Sequence, residues 1–84
     1  MKTKPLSPDQ PARYRLCLQG RPSADWTDWL PDVHQTVDNG QTILTGTLRD
    51  QAALFGLLSF VRDLGAVLLA VEYLPGTNDQ KENK

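Results

Sequence analysis

A chain of 84 residues, 39% hydrophobic and 23% charged, has room for one small domain and excludes a multidomain organisation. Nine Lys plus Arg against ten Asp plus Glu leave a formal net charge of -1, which provides no field for gathering nucleic acid or an anionic membrane. A lone cysteine, Cys17, excludes an internal disulfide, and no apolar run nears the roughly 18 residues of a membrane span.

Residues 1–12 carry Pro5, Pro8 and Pro11 and little apolar bulk, too little to offset the entropy of ordering, and read as a flexible N-terminal arm. They lack the apolar stretch of a secretory signal, so a soluble cytoplasmic protein is expected. The three prolines fall at the period of a polyproline helix, a spacing that tail composition alone also produces. Residues 13–74 form the single domain expected, and residues 75–84, opening on Pro75-Gly76 and polar thereafter, read as a flexible C-terminal tail. The arms hold all four lysines, and a core of this size is only marginally stable alone.

Arg13 to Gln19 alternates strictly, with Tyr14, Leu16 and Leu18 on one side, and predicts a strand with one buried face. After Gly20 and Pro22, Ser23 stands as N-cap of a short helix from Ala24 to Leu30 that Pro31 ends, with Trp26, Trp29 and Leu30 on one edge. Val33 to Asp38 and Gln41 to Leu48 flank Asn39-Gly40, a strong hairpin signal. A two-residue type I′ turn there opposes Asp38 to Gln41, Val37 to Thr42 and Gln35 to Leu44. Asp50 caps a helix from Gln51 to Leu64 that Gly65 closes, its apolar stripe running through Ala53, Leu54, Leu57, Leu58, Val61 and Leu64 while Phe55 falls on the polar side. Ala66 to Leu74 is apolar on both faces and predicts a strand covered in two directions.

The order strand, short helix, hairpin, long helix, strand defines an α+β fold. It predicts a ferredoxin-like split βαββαβ arrangement: a four-stranded antiparallel sheet of order 4-1-3-2 with both helices on one face. With Ala24–Leu30 as a loop the order becomes β-β-β-α-β, which leaves the same open sheet face.

The run Thr42-Ile43-Leu44-Thr45-Gly46-Thr47-Leu48-Arg49-Asp50-Gln51-Ala52-Ala53-Leu54-Phe55-Gly56-Leu57-Leu58, with Val61-Arg62-Asp63-Leu64-Gly65 and Leu68-Leu69 after it, resembles a family of short uncharacterised bacterial proteins. In these a tryptophan-containing segment, a hairpin and a "TLTG…DQAALHGLL…RDLG" stretch recur. The resemblance covers about Tyr14 to Leu74 and is most specific at Asp50-Gln51-Ala52-Ala53-Leu54. It implies no activity, cofactor or catalytic residue. Members often carry His where this chain has Phe55.

No constellation in the sequence carries chemistry. Cys17 and His34 both project to the open face, but one strand separates theirs, so they stand nearly 10 Å apart, too far for a nucleophile and its base. Two such ligands fall short of a zinc site, and Asp25, Asp28 and Asp32 lack the looped oxygen set of a hard-cation site, so no metal and no cofactor is expected. The order also suits an RNA-recognition module, yet Arg13, Arg15, Cys17, Gln19, Ile43, Thr45 and Thr47 offer the open face no aromatic on which bases stack. Gly46 in mid-strand and Gly56 in mid-helix are expected where the helix packs closely on the sheet.

Two functions fit what remains, neither of them enzymatic. The first is a self-association module, a homodimer paired through an open face bearing Cys17, Ile43, Thr45, Leu68 and Ala70, with one face of the last strand covered by its own chain and the other by the second copy. The second is a small-molecule binding or sensing domain with a pocket near Trp26, Trp29 and Phe55.

Overall fold

Alternation puts Tyr14, Leu16 and Leu18 of β1 (Ala12–Gln19) on one buried face. In the computed structural model, which describes residues 6–75, that face is the floor of the core. After a 3-10 turn (Trp26–Asp28) come β2 (His34–Asp38), β3 (Gln41–Leu48), α1 (Gln51–Asp63) and β4 (Leu68–Leu74). The four strands form one antiparallel sheet of order β2-β3-β1-β4, the predicted order read from the other edge. The fold is α+β, with one α-helix among the described residues.

The hairpin follows from Asn39-Gly40. Their φ values of 53° and 76° are the pair a type I′ turn requires, and the register beyond it opposes Asp38 to Gln41, Val37 to Thr42 and Gln35 to Leu44 as the pattern predicts. At the start of α1 the Asp50 carboxylate accepts the Ala53 N–H at 2.7 Å, and Gln51 donates its N–H to the Pro8 carbonyl at 2.8 Å. Two orphan donors of the helix N-terminus are thereby met, one of them by the segment preceding β1. The rest of both arms, residues 1–5 and 76–84, lies outside the described residues.

The helix expected at Ala24–Leu30 is a single 3-10 turn, capped by Asp25 instead of Ser23: the Asp25 carboxylate accepts the Thr27 N–H at 3.1 Å. A stretch bounded by Pro22 and Pro31 is too short to sustain an α-helix, and burial of its apolar edge is met by the turn. Trp26 and Leu30 are buried, and Phe60 of α1 meets Trp26 edge-on and Trp29 at a shallow tilt, both with ring centroids 5.7 Å apart.

This segment explains two glycines differently from the sequence expectation. A Cβ on Gly56 would lie 2.8 Å from Cζ3 of Trp29, and a Cβ on Gly46 would lie 3.0–3.1 Å from Asp32 and Leu30. It is the tryptophan segment, not the helix against the sheet, that approaches both.

A second correction concerns β4. Its helix-side residues Val71 and Tyr73, opposite Leu16 and Tyr14 of β1, remain 40% and 37% exposed although the Tyr73 ring lies 5.6 Å from that of Tyr14, so its own chain covers the helix-side face of the strand only in part. The reason is width: Leu54, Leu57 and Val61 of α1 pack into the cluster built on β1 and β3, and one helix about 10 Å across spans roughly two strands spaced about 4.8 Å.

Trp29 therefore sets the sign of a substitution in α1. Gly56→Ala is expected to destabilise by about 1–2 kcal/mol through overpacking, despite alanine's higher helix propensity. In a Trp29→Ala background the same change should stabilise, by up to about 1 kcal/mol. Urea unfolding of the four-member cycle measures both; equal effects in the two backgrounds would contradict the contact.

Candidate functional site

Two surface features merit chemical attention. The first is β4. It forms one edge of the sheet, and Val67, Leu68, Leu69, Val71 and Tyr73 are all exposed large hydrophobics. The strand carries a single charge, Glu72, which pairs with Arg15 at 3.2 Å. β2, at the opposite edge, is five residues long, largely polar, and ends on Asp38. The two edges are thus unlike: one is short and polar, as edges in soluble proteins usually are, and the other is long and aliphatic.

The second is a half-open groove of about 520 Å³ between the end of β3, the start of α1 and the segment around Trp29. Trp29, Pro31, Ala52 and Ala53 give it an apolar floor, with Asp28, Asp32 and Asp50 at its rim. Two of these carboxylates already have structural work. Asp50 caps α1. Asp32 accepts the Thr47 N–H and the Thr47 hydroxyl, each at 2.8 Å, and pairs with Arg13 at 3.3 Å, pinning the tryptophan segment to β3 and β1.

Partial burial pushes the Asp32 carboxyl upward, but the Thr47 N–H and hydroxyl and the Arg13 guanidinium outweigh it and hold the group below its ordinary value.

The residues singled out in the sequence separate into two groups. Cys17, Ile43, Thr45 and Ala70 share the open face, since β1 opposes Cys17 to both Ile43 and Ala70 and Arg15 to Thr45. Of the five in the proposed face, Ala70 is exposed and Cys17, Ile43 and Thr45 are half-buried; Leu68, also exposed, is a correction, because a register shift sets it opposite buried Leu18 and so on the helix side of the sheet, not on the open face. Cys17 donates to Oε1 of Gln41 at 3.1 Å. His34 opposes Thr45, and Cys17 opposes Ile43, which pairs with Thr36; the two reactive side chains are therefore one strand and two residues apart. Trp26 is 2% exposed and its indole N–H has no acceptor among the described residues. Only Trp29 of the expected pocket trio lines the groove: Trp26 is beneath the surface, and Phe55, 61% exposed, is not part of it.

Sequence reasoning missed the Asp32 staple, for which an acid just before the hairpin was the available sign. Among the described residues no three His, Cys, Asp or Glu side chains group as metal ligands, and no helix is long and apolar enough to cross a membrane.

The molecule is thus a small α+β domain with a one-helix roof and an uncovered apolar edge. The chain belongs to the family described as Domain of unknown function (DUF8691), whose model matches residues 13–72. No curated protein and no solved structure matches it.

Asp32 generates a pH prediction. Its folded-state pKa is depressed, so its stabilisation is fully present above the unfolded value of about 3.9 and is lost as pH falls through the folded one. Asp32→Ala should cost about 1 kcal/mol at neutral pH, modest because the carboxylate is part-exposed, and the gap from the parent should narrow towards about pH 2.5. Urea melts at both pH values test this; a gap that widens on acidification contradicts it.

Proposed function

We propose that this chain is a non-catalytic association domain that pairs with a second copy of itself so as to cover β4. The observation that carries the reading is the exposure of β4 on both faces along a seven-residue edge. Apolar surface concentrated in one strand is where burial against another molecule returns the most free energy, and a domain this small gains proportionately from an enlarged core. The surface that matters is thereby narrower than the one expected from sequence: Leu68 and Ala70 belong to it, and the half-buried Cys17, Ile43 and Thr45 are neighbours of it. The same reading takes the architecture as a ferredoxin-like split whose first helix is reduced to a 3-10 turn; the strand order and the β3-α1-β4 connection support this.

A second reading, recognition of a small molecule, is favoured by the groove at Trp29. With Asp32 and Asp50 committed to Thr47 and to α1, its remaining recognition elements are the apolar floor, Asp28 and the largely exposed Arg49. That is less than a specific polar site ordinarily presents.

The test of the first reading is molar mass by light scattering across a concentration series. Because only a few residues per copy are involved, an interface at the low end of the size range, with a Kd of about 100 µM, is expected. The mass should rise from one chain at about 10 µM toward two chains at about 500 µM. A single-chain mass throughout would remove the proposal.

A further inference from the structure

Resting on that self-association reading, we infer that the two copies join edge to edge, β4 against β4 in antiparallel fashion, to give a continuous eight-stranded sheet with Val71 on the two-fold axis. Stacking of open faces, the alternative geometry, would bury Arg13, Arg15 and Glu72 with their charges, since the ion pairs Arg13–Asp32 and Arg15–Glu72 stand on or beside that face. Edge pairing leaves them in water. It also satisfies the outward backbone donors and acceptors of β4, which face stacking does not.

The register follows from symmetry and charge. A two-fold axis perpendicular to the sheet keeps every residue on its own face, so only residues of the same parity can oppose one another. Three centres on β4 then compete. Centring on Glu72 sets two carboxylates directly opposite, which is unfavourable. Centring on Ala70 opposes Leu68 of one copy to Glu72 of the other and leaves Tyr73 and Leu74 outside the pairing. Centring on Val71 places the axis at the middle of Leu68–Leu74, with the regular residues Ala70, Val71 and Glu72 at its centre. It opposes Val71 to its own mate and sets Glu72 beside Ala70, where the carboxylate keeps its contact with Arg15, while Leu69, at the register shift, falls toward the outer end of the pairing. The register shift between β1 and β4 occurs at Cys17/Leu18, opposite the start of β4, so the centre of the pairing falls on regular strand. In this arrangement Val71 and Tyr73 of both copies line a shared strip between the two helices. A second copy is the fitting occupant because the surface is self-complementary: it is apolar, and its one carboxylate is already neutralised within its own chain.

Single cysteines in a Cys17→Ser background test the geometry, after native circular dichroism has been verified for each. Residues on the axis of an antiparallel pair have Cα atoms about 4.5–5.5 Å apart, within disulfide reach. Under oxidised glutathione, Val71→Cys should cross-link about tenfold faster than Thr45→Cys or Val37→Cys. Faster cross-linking of Thr45→Cys overturns edge pairing while leaving self-association standing; faster cross-linking of Leu69→Cys or Tyr73→Cys overturns the register. If the unmodified chain shows a single-chain mass at every concentration, self-association itself fails and this inference with it. Should Val71→Cys not fold, a mixture of differently labelled unmodified copies supplies the second measurement. Inter-copy nuclear Overhauser effects between β4 strands support the pairing, and effects confined to Ile43 and Thr45 refute it.

Discussion

A helix about 10 Å across roofs roughly two strands of a sheet, and the described residues hold one such helix for four strands. Leu54, Leu57 and Val61 of α1 are spent on β1 and β3, where Leu16, Leu18, Leu44 and Leu48 become fully or almost fully buried. The rest of the sheet depends on what else lies over it. Among the described residues the tryptophan segment is the main other cover of the helix side, and it reaches Gly46 on β3 and Gly56 on α1 because those positions lack a side chain. β4 is left outside both. The exposure of that strand is a consequence of how the roof is built, and the self-association reading grows from it.

The tryptophan segment is held by few but specific interactions. Trp26 and Trp29 bracket Phe60, Leu30 fills the space above Gly46, and Asp32 binds Thr47 and Arg13. Aromatic packing supplies most of the free energy, and the carboxylate fixes where the chain turns into β2. A price is visible in the Trp26 indole N–H, buried without an acceptor among the described residues, a loss of about 1–3 kcal/mol that the large ring area offsets.

What was legible in the sequence was whatever depends on neighbouring residues. Alternation gave β1 its buried face, Asn39-Gly40 gave the hairpin and its register, and Asp50 and Gly65 bounded α1, which ends at Asp63 with Gly65 at φ 79°. The sheet order followed from those elements. What escaped was whatever depends on distant contacts. Ser23 and Asp25 are both good caps by residue type, and the turn starts at Trp26 with Asp25 as its cap. The apolar faces of Ala66–Leu74 were visible, but that the helix side stays only part-covered depends on where α1 lies. Phe55 suggested a pocket by its bulk, whereas it stands 61% exposed, away from the groove at Trp29.

The most direct probe of self-association through β4 is amide hydrogen exchange, residue by residue, in dilute and concentrated solution. Pairing at that edge protects the outward amides of Leu68–Leu74 as concentration rises, while those of His34–Asp38 at the polar edge exchange at an unchanged rate. Exchange along β4 that is independent of concentration, or protection that grows at β2 instead, contradicts the account.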